Sequence, residues 1–83
     1  MKKKMLIVED EYIVANNLRQ VLTRFGYEVV GIAATAAEAA EIVRNDRPDL
    51  ALLDIRLQGE LTGIDIARML RTENIGFIYL SAN

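Results

Sequence analysis

The stretch DLALLDIRLQGELTG, residues 49–63, decides the fold. Leu50, Ala51, Leu52 and Leu53 are apolar at every position rather than at every second one. A strand of this kind is covered on both faces of its sheet, as the strands of parallel α/β sheets are. Pro48 forbids a helix from running into it, so a strand is expected over Asp49 to Ile55. It ends on a carboxylate, Asp54, and then passes into loop residues around Gly59. An acid at the exit of a strand otherwise made for burial asks for a chemical reason.

Working outward, Met5 to Val8 is a short apolar run of strand length, followed by Glu9, Asp10 and Glu11. From Tyr12 the period changes. Val14, Leu18, Val21, Leu22 and Phe25 are separated by offsets of 4, 7, 8 and 11, which places them on one helical face, and Gly26 is suited to the left-handed residue that ends a helix. Tyr27 to Ala33 is rich in β-branched residues and predicts a second strand. Thr35, with Glu38 three residues on, is a capping-box pattern for a helix over 36–45, whose apolar face is mostly alanine with Ile42 and Val43. A third helix is expected from Gly63 or Ile64 to Glu73, burying Ile64, Ala67 and Leu70, and a fourth strand from Phe77 to Ser81 after Gly76. Strands alternating with helices in this way predict parallel pairing through right-handed crossovers, in a doubly wound α/β sheet.

Composition narrows the function. The chain has 83 residues, enough for one small domain, and 52% of them are hydrophobic, enough to fold. Net charge is −2, and the only cluster of bases is Lys2, Lys3 and Lys4 at the start, which reads as a solvated terminus; direct nucleic-acid binding is not expected. The apolar run after those lysines is too short for an export signal, and no run is long enough to span a membrane, so a cytoplasmic protein is expected. There is neither cysteine nor histidine, so a site must be built from carboxylates, hydroxyls and backbone.

Ligands of open parallel sheets bind at the carboxyl ends of the strands, where the topology reverses. Glu9 and Asp10 close the first strand and Asp54 lies at the end of the third. If those strands are neighbours, about 4.8 Å apart, the acids share one small volume. Carboxylates so close repel one another unless a cation joins them. Mg2+ suits such a site, because it binds through one or two carboxylates and completes its shell with water and phosphate oxygens. Ser81 ends the fourth strand on the same edge and can donate to an oxyanion. Asp54 is then placed to attack phosphorus, with Mg2+ offsetting the charge. Each residue also has a plainer reading. Acids at 9–11 suit the start of a helix, Asp65 compensates a helix dipole, Gly59 and Gly63 serve turns, and Met69 packs or sits at the surface. The pairing of Asp54 with the acids of the first strand is what favours the site.

Four motifs carry a resemblance: LIVEDE with Glu9 and Asp10, DLALLDIRL with Asp54, GIDIARMLR at the third helix, and FIYLSAN with Ser81. In their order and spacing, over all 83 residues, they resemble the receiver domain of two-component response regulators. The resemblance implies a flavodoxin-like sheet of order 2-1-3-4. It also implies phosphorylation of Asp54 by a histidine kinase, with Mg2+ held by Asp10, Asp54 and the backbone carbonyl of Arg56, Glu9 acting through water, and Ser81 binding a phosphoryl oxygen. Phosphorylation would then shift an equilibrium between two conformations that controls an output. Such a module modifies itself and is not a turnover enzyme.

Residues 1–83 are expected to be one receiver domain that is incomplete at its C-terminus, since no lysine follows Lys4 and a fifth strand and further helices of the family are missing. Two expectations follow. The fourth strand becomes an exposed edge and half of the face under the first helix stays uncovered, so a homo-oligomer through these surfaces is expected. The alternative function is an interaction module that cannot be phosphorylated. A Mg2+-dependent phosphatase or nuclease fits less well, because such sites usually carry a second acid two residues beyond the nucleophile, where this chain has Arg56.

Overall fold

The computed structural model describes residues 2–54 and 63–80. Their elements are β1 (Lys4–Val8), α1 (Tyr12–Arg24), β2 (Glu28–Ala33), α2 (Ala36–Asn45), β3 (Leu50–Asp54), α3 (Gly63–Thr72) and β4 (Gly76–Leu80). The four strands form one parallel sheet of order β2-β1-β3-β4. This is the flavodoxin-like arrangement that the alternation of strands and helices, with the resemblance, leads one to expect. Ile55, Arg56, Gly59 and Ser81 lie outside the described residues.

Helix ends follow local chemistry. The Thr35 hydroxyl accepts the Glu38 N–H at 3.2 Å, and the Glu38 carboxylate accepts the Ala34 N–H at 2.7 Å, so the capping pattern starts α2 as expected. Gly26 takes φ +93° after α1, with the Tyr27 N–H donating to the Leu22 carbonyl. Asn74, at φ +59°, plays the same part after α3, and there the Ile75 N–H donates to the Leu70 carbonyl. Asparagine is among the few residues other than glycine that accept this conformation readily.

The two faces of the sheet are filled differently. Alternate residues Leu6 and Val8 of β1, and Ala51 and Leu53 of β3, meet Ala39 and Val43 of α2 and Ile66, Ala67 and Leu70 of α3 in one buried core. Met5, Ile7 and Leu52 point to the other face and are also buried, which bears out the two-sided covering read from residues 50–53. Among the described residues only α1 lies on that side, packed on β1 and β2.

Two helix faces depart from the periodicity. In α3, Ile64 is 66% exposed and Ile66 is buried in its place, alongside Ala67 and Leu70. Residues 64 and 66 stand about 200° apart around a helix, so only one of them can face the sheet, and the short spacing from 66 to 67 and 70 forms the tighter stripe. In α1, Ala15 is the buried residue, Leu18 and Leu22 are half-buried, and Val14, Val21 and Phe25 are exposed. The helix is turned so that its alanine side, not the centre of its apolar stripe, meets β1 and β2.

β2 meets α2 at a close approach. A Cβ on Gly31 would stand 2.6, 3.1 and 3.3 Å from three side-chain carbons of Ile42. Gly31→Ala therefore overpacks this contact and is expected to cost about 1–3 kcal/mol. Combining it with Ile42→Val, which deletes the nearest carbon, is expected to recover part of that loss in a urea-denaturation double-mutant cycle.

Candidate functional site

The register of β1 against β3 builds the site. Val8 pairs with Leu53, so the next residues, Glu9 and Asp54, leave the sheet side by side at its carboxyl edge. Glu9 is fixed from the other side as well, its N–H donating to the Ala33 carbonyl of β2 at 2.9 Å. Glu9 and Asp54 are 5% and 3% exposed, whereas Asp10 faces solvent. One carboxylate oxygen from each of Glu9, Asp10 and Asp54 lies within 4.8 Å of the others. The acids that the sequence placed at separate strand ends thus meet in one pocket, and among the described residues no other group of three acids does so. Arg56 and Ser81, the other expected site residues, fall outside the described residues.

The plainer reading of the acids at 9–11, as caps of the first helix, has little support in the geometry. Glu11 occupies the N-cap position of α1 without a side-chain cap bond, and the first turn holds no acid. The Glu9 carboxylate does accept the Glu11 N–H at 3.1 Å, but its body is buried against Asp54 rather than laid along the helix end. Burial, followed by the hydrogen bond and charge of Asp54 and the hydrogen bond with Asp10, pushes the Glu9 carboxyl up to about 7, against the Glu11 N–H, which favours the charged form. A buried cluster of acids under this strain fits a hard divalent cation. All its donors are carboxylate oxygens, with one exposed side open to water and to a further oxygen ligand.

This electrostatic strain has a sign that can be measured. Folded Glu9 keeps its proton to higher pH than the unfolded chain does, so without metal its contribution to stability is full below about pH 4.5 and is lost as pH rises through about 7. The stability of the wild type relative to Glu9→Gln is expected to fall across that window, with a slope of at most about 1.4 kcal/mol per pH unit. Thermal unfolding of both proteins with EDTA from pH 4 to 8 reads this difference. Added Mg2+ is expected to raise the wild-type Tm most at the alkaline end, where Glu9 has lost its proton.

The sequence matches the family model described as the response regulator receiver domain over residues 5–83. It is 38% identical over 84 residues to sporulation initiation phosphotransferase F of Bacillus subtilis, covering 99% of this chain and 66% of that protein. To the chemotaxis protein CheY of Thermotoga maritima it is 38% identical over 65 residues, covering 78% of this chain and 53% of that one. The fold superposes with a TM-score of 0.91, at 36% identity, on the signal receiver domain of a modulated diguanylate cyclase from Desulfovibrio desulfuricans, over 98% of this chain and 66% of that one. The chain therefore spans between about half and two thirds of the lengths of these relatives. Its sheet order, its three gathered acids and these likenesses agree, and the chain belongs to the response regulator receiver domains of two-component signalling.

Proposed function

We propose that this receiver domain accepts a phosphoryl group on Asp54 from the phosphohistidine of a histidine kinase, in a Mg2+-dependent reaction in the cytoplasm, and passes the change to an output. The observation that carries the reading is the convergence of Glu9, Asp10 and Asp54 within 4.8 Å at the carboxyl edge of the sheet. A carboxylate oxygen of Asp54 attacks phosphorus, the P–N bond to the histidine breaks, and its electron pair returns to the imidazole. Asp54 becomes an acyl phosphate. Burial at 3% exposure limits the orientations open to Asp54 and keeps water from competing at its inner side.

Asp10 and Asp54, with the carbonyl of Arg56, would hold Mg2+, with Glu9 acting through a water molecule. When bound, Mg2+ supplies the positive charge that lets an anionic nucleophile approach an anionic phosphoryl group. Glu9 sets how strongly the pocket calls for that charge, because its own ionisation is resisted by burial and by Asp54. Ser81 would donate a hydrogen bond to a phosphoryl oxygen. The protein modifies itself and does not turn over, and its partners in this reading are the kinase and a second copy of the chain, met along β4 and the open half of the face beside α1.

A second reading, an interaction module that takes no phosphoryl group, is favoured by the exposure of Ile78 and Tyr79 on β4, at 52% and 42%. Incubation with Mg2+ and a small phosphodonor, followed by intact mass, separates the two. The expected outcome is a labile gain of one phosphoryl group, absent with EDTA and absent in Asp54→Asn. No gain in the wild type would sink the phosphoacceptor reading and leave the interaction module.

A further inference from the structure

One peptide group joins the start of α2 to the acid pocket. In a capping box the acid of the first turn usually accepts the N–H of the capping residue itself, which here is Thr35. Glu38 reaches one residue further back. Its carboxylate accepts the Ala34 N–H at 2.7 Å, while its own N–H donates to the Thr35 hydroxyl at 3.2 Å. The Ala34 N–H belongs to the same peptide group as the Ala33 carbonyl, and that carbonyl accepts the Glu9 N–H at 2.9 Å. A continuous line of bonds thus runs from the exposed Glu38 carboxylate, through one amide plane, to the backbone of buried Glu9.

We infer that Glu38 is a positioning residue of the acid pocket: it holds the peptide between Ala33 and Ala34 so that its carbonyl fixes the chain where β1 ends and Glu9 and Asp10 enter the pocket. This deepens the phosphoacceptor reading and rests on it. The peptide is planar, so its C=O and N–H turn together, and a rotation that takes the carbonyl from Glu9 also takes the N–H from Glu38. Such a rotation would leave the Glu9 N–H buried without its acceptor, which is costly. The bond at the outer end has an ionised acceptor and is short, so it resists that rotation. An anion on the N–H also polarises the amide and makes its carbonyl the stronger acceptor for Glu9. Glu38 lies outside the three acids that meet within 4.8 Å and acts on them through this peptide. Thr35 serves the same helix end differently, because its hydroxyl bonds the Glu38 N–H and not the Ala34 peptide.

Three variants separate positioning from helix capping: Glu38→Ala, Glu38→Gln, which keeps an uncharged acceptor oxygen, and Thr35→Ala. Circular dichroism checks that each is folded, and urea denaturation reads its stability. The first readout uses neither metal nor phosphate. With EDTA present, NMR measures the coupling across the hydrogen bond between the Glu9 amide nitrogen and the Ala33 carbonyl carbon. Glu38→Ala is expected to weaken this coupling and Glu38→Gln to restore most of it, while Thr35→Ala keeps the wild-type value despite its lost cap. The second readout is calorimetric titration with Mg2+ alone. Glu38→Ala is expected to bind about 10-fold more weakly than the wild type, the lower end of the range for groups that orient metal ligands, with Glu38→Gln nearer the wild type and Thr35→Ala equal to it. The proposal requires both changes in Glu38→Ala. Either one alone, an equal loss in Thr35→Ala, or a wild type that binds no Mg2+ overturns it. A wild type that binds Mg2+ but gains no phosphoryl group sinks the phosphoacceptor reading, and these two measurements still decide the role of Glu38.

Discussion

The parallel pairing of β1 with β3 is the constraint from which the rest of this molecule follows. It sets Val8 against Leu53, and one step further along both strands it brings Glu9 and Asp54 together at almost complete burial. Two carboxyls forced out of water at this distance are costly unless one keeps its proton or a cation intervenes. The resistance of Glu9 to ionisation is the mark of that conflict. A site under this strain is one that a hard divalent cation would relieve.

That pairing holds because the α2 and α3 side of the sheet is closely packed. Leu6, Val8, Leu53, Ile66 and Leu70 are all essentially inaccessible, and the small residues Ala39, Ala51 and Ala67 let the helices approach the strands. The ion pairs contribute little beside this. Lys4 with Asp46 and Arg47 with Glu73 are both solvent-exposed, and pairs of that kind stabilise by about 1 kcal/mol or less. They lie at the opposite end of the strands from the acids, and they pin the turns around Asp46 and Arg47 without entering the site.

The other side of the sheet is less settled. α1 covers β1 and β2 with its alanine side and leaves Val14, Val21 and Phe25 exposed, while β4 leaves Ile78 exposed on its outer half. Among the described residues, the side that fixes the acids is thus the closely packed one, and the side under α1 is packed more thinly.

Much of this was legible in the sequence. The unbroken apolar run at 50–53 called for a doubly covered parallel strand, Thr35 and Glu38 announced the start of α2, Gly26 marked the end of α1, and acids at two strand exits pointed to a shared pocket. These features are local: capping, turn conformation and strand burial depend on a few neighbouring residues. What the sequence did not fix was rotation and adjacency. It could not say that Ile66 rather than Ile64 faces the sheet, or that α1 presents Ala15 instead of Val14, because a helical stripe wider than its contact can settle in more than one orientation and the packing partner chooses. Nor could it say how deeply Glu9 is buried. That depends on β1 lying between β2 and β3, with the Ala33 carbonyl on one side and Asp54 on the other, an arrangement that brings together residues far apart in the chain and exists only once the whole sheet has formed.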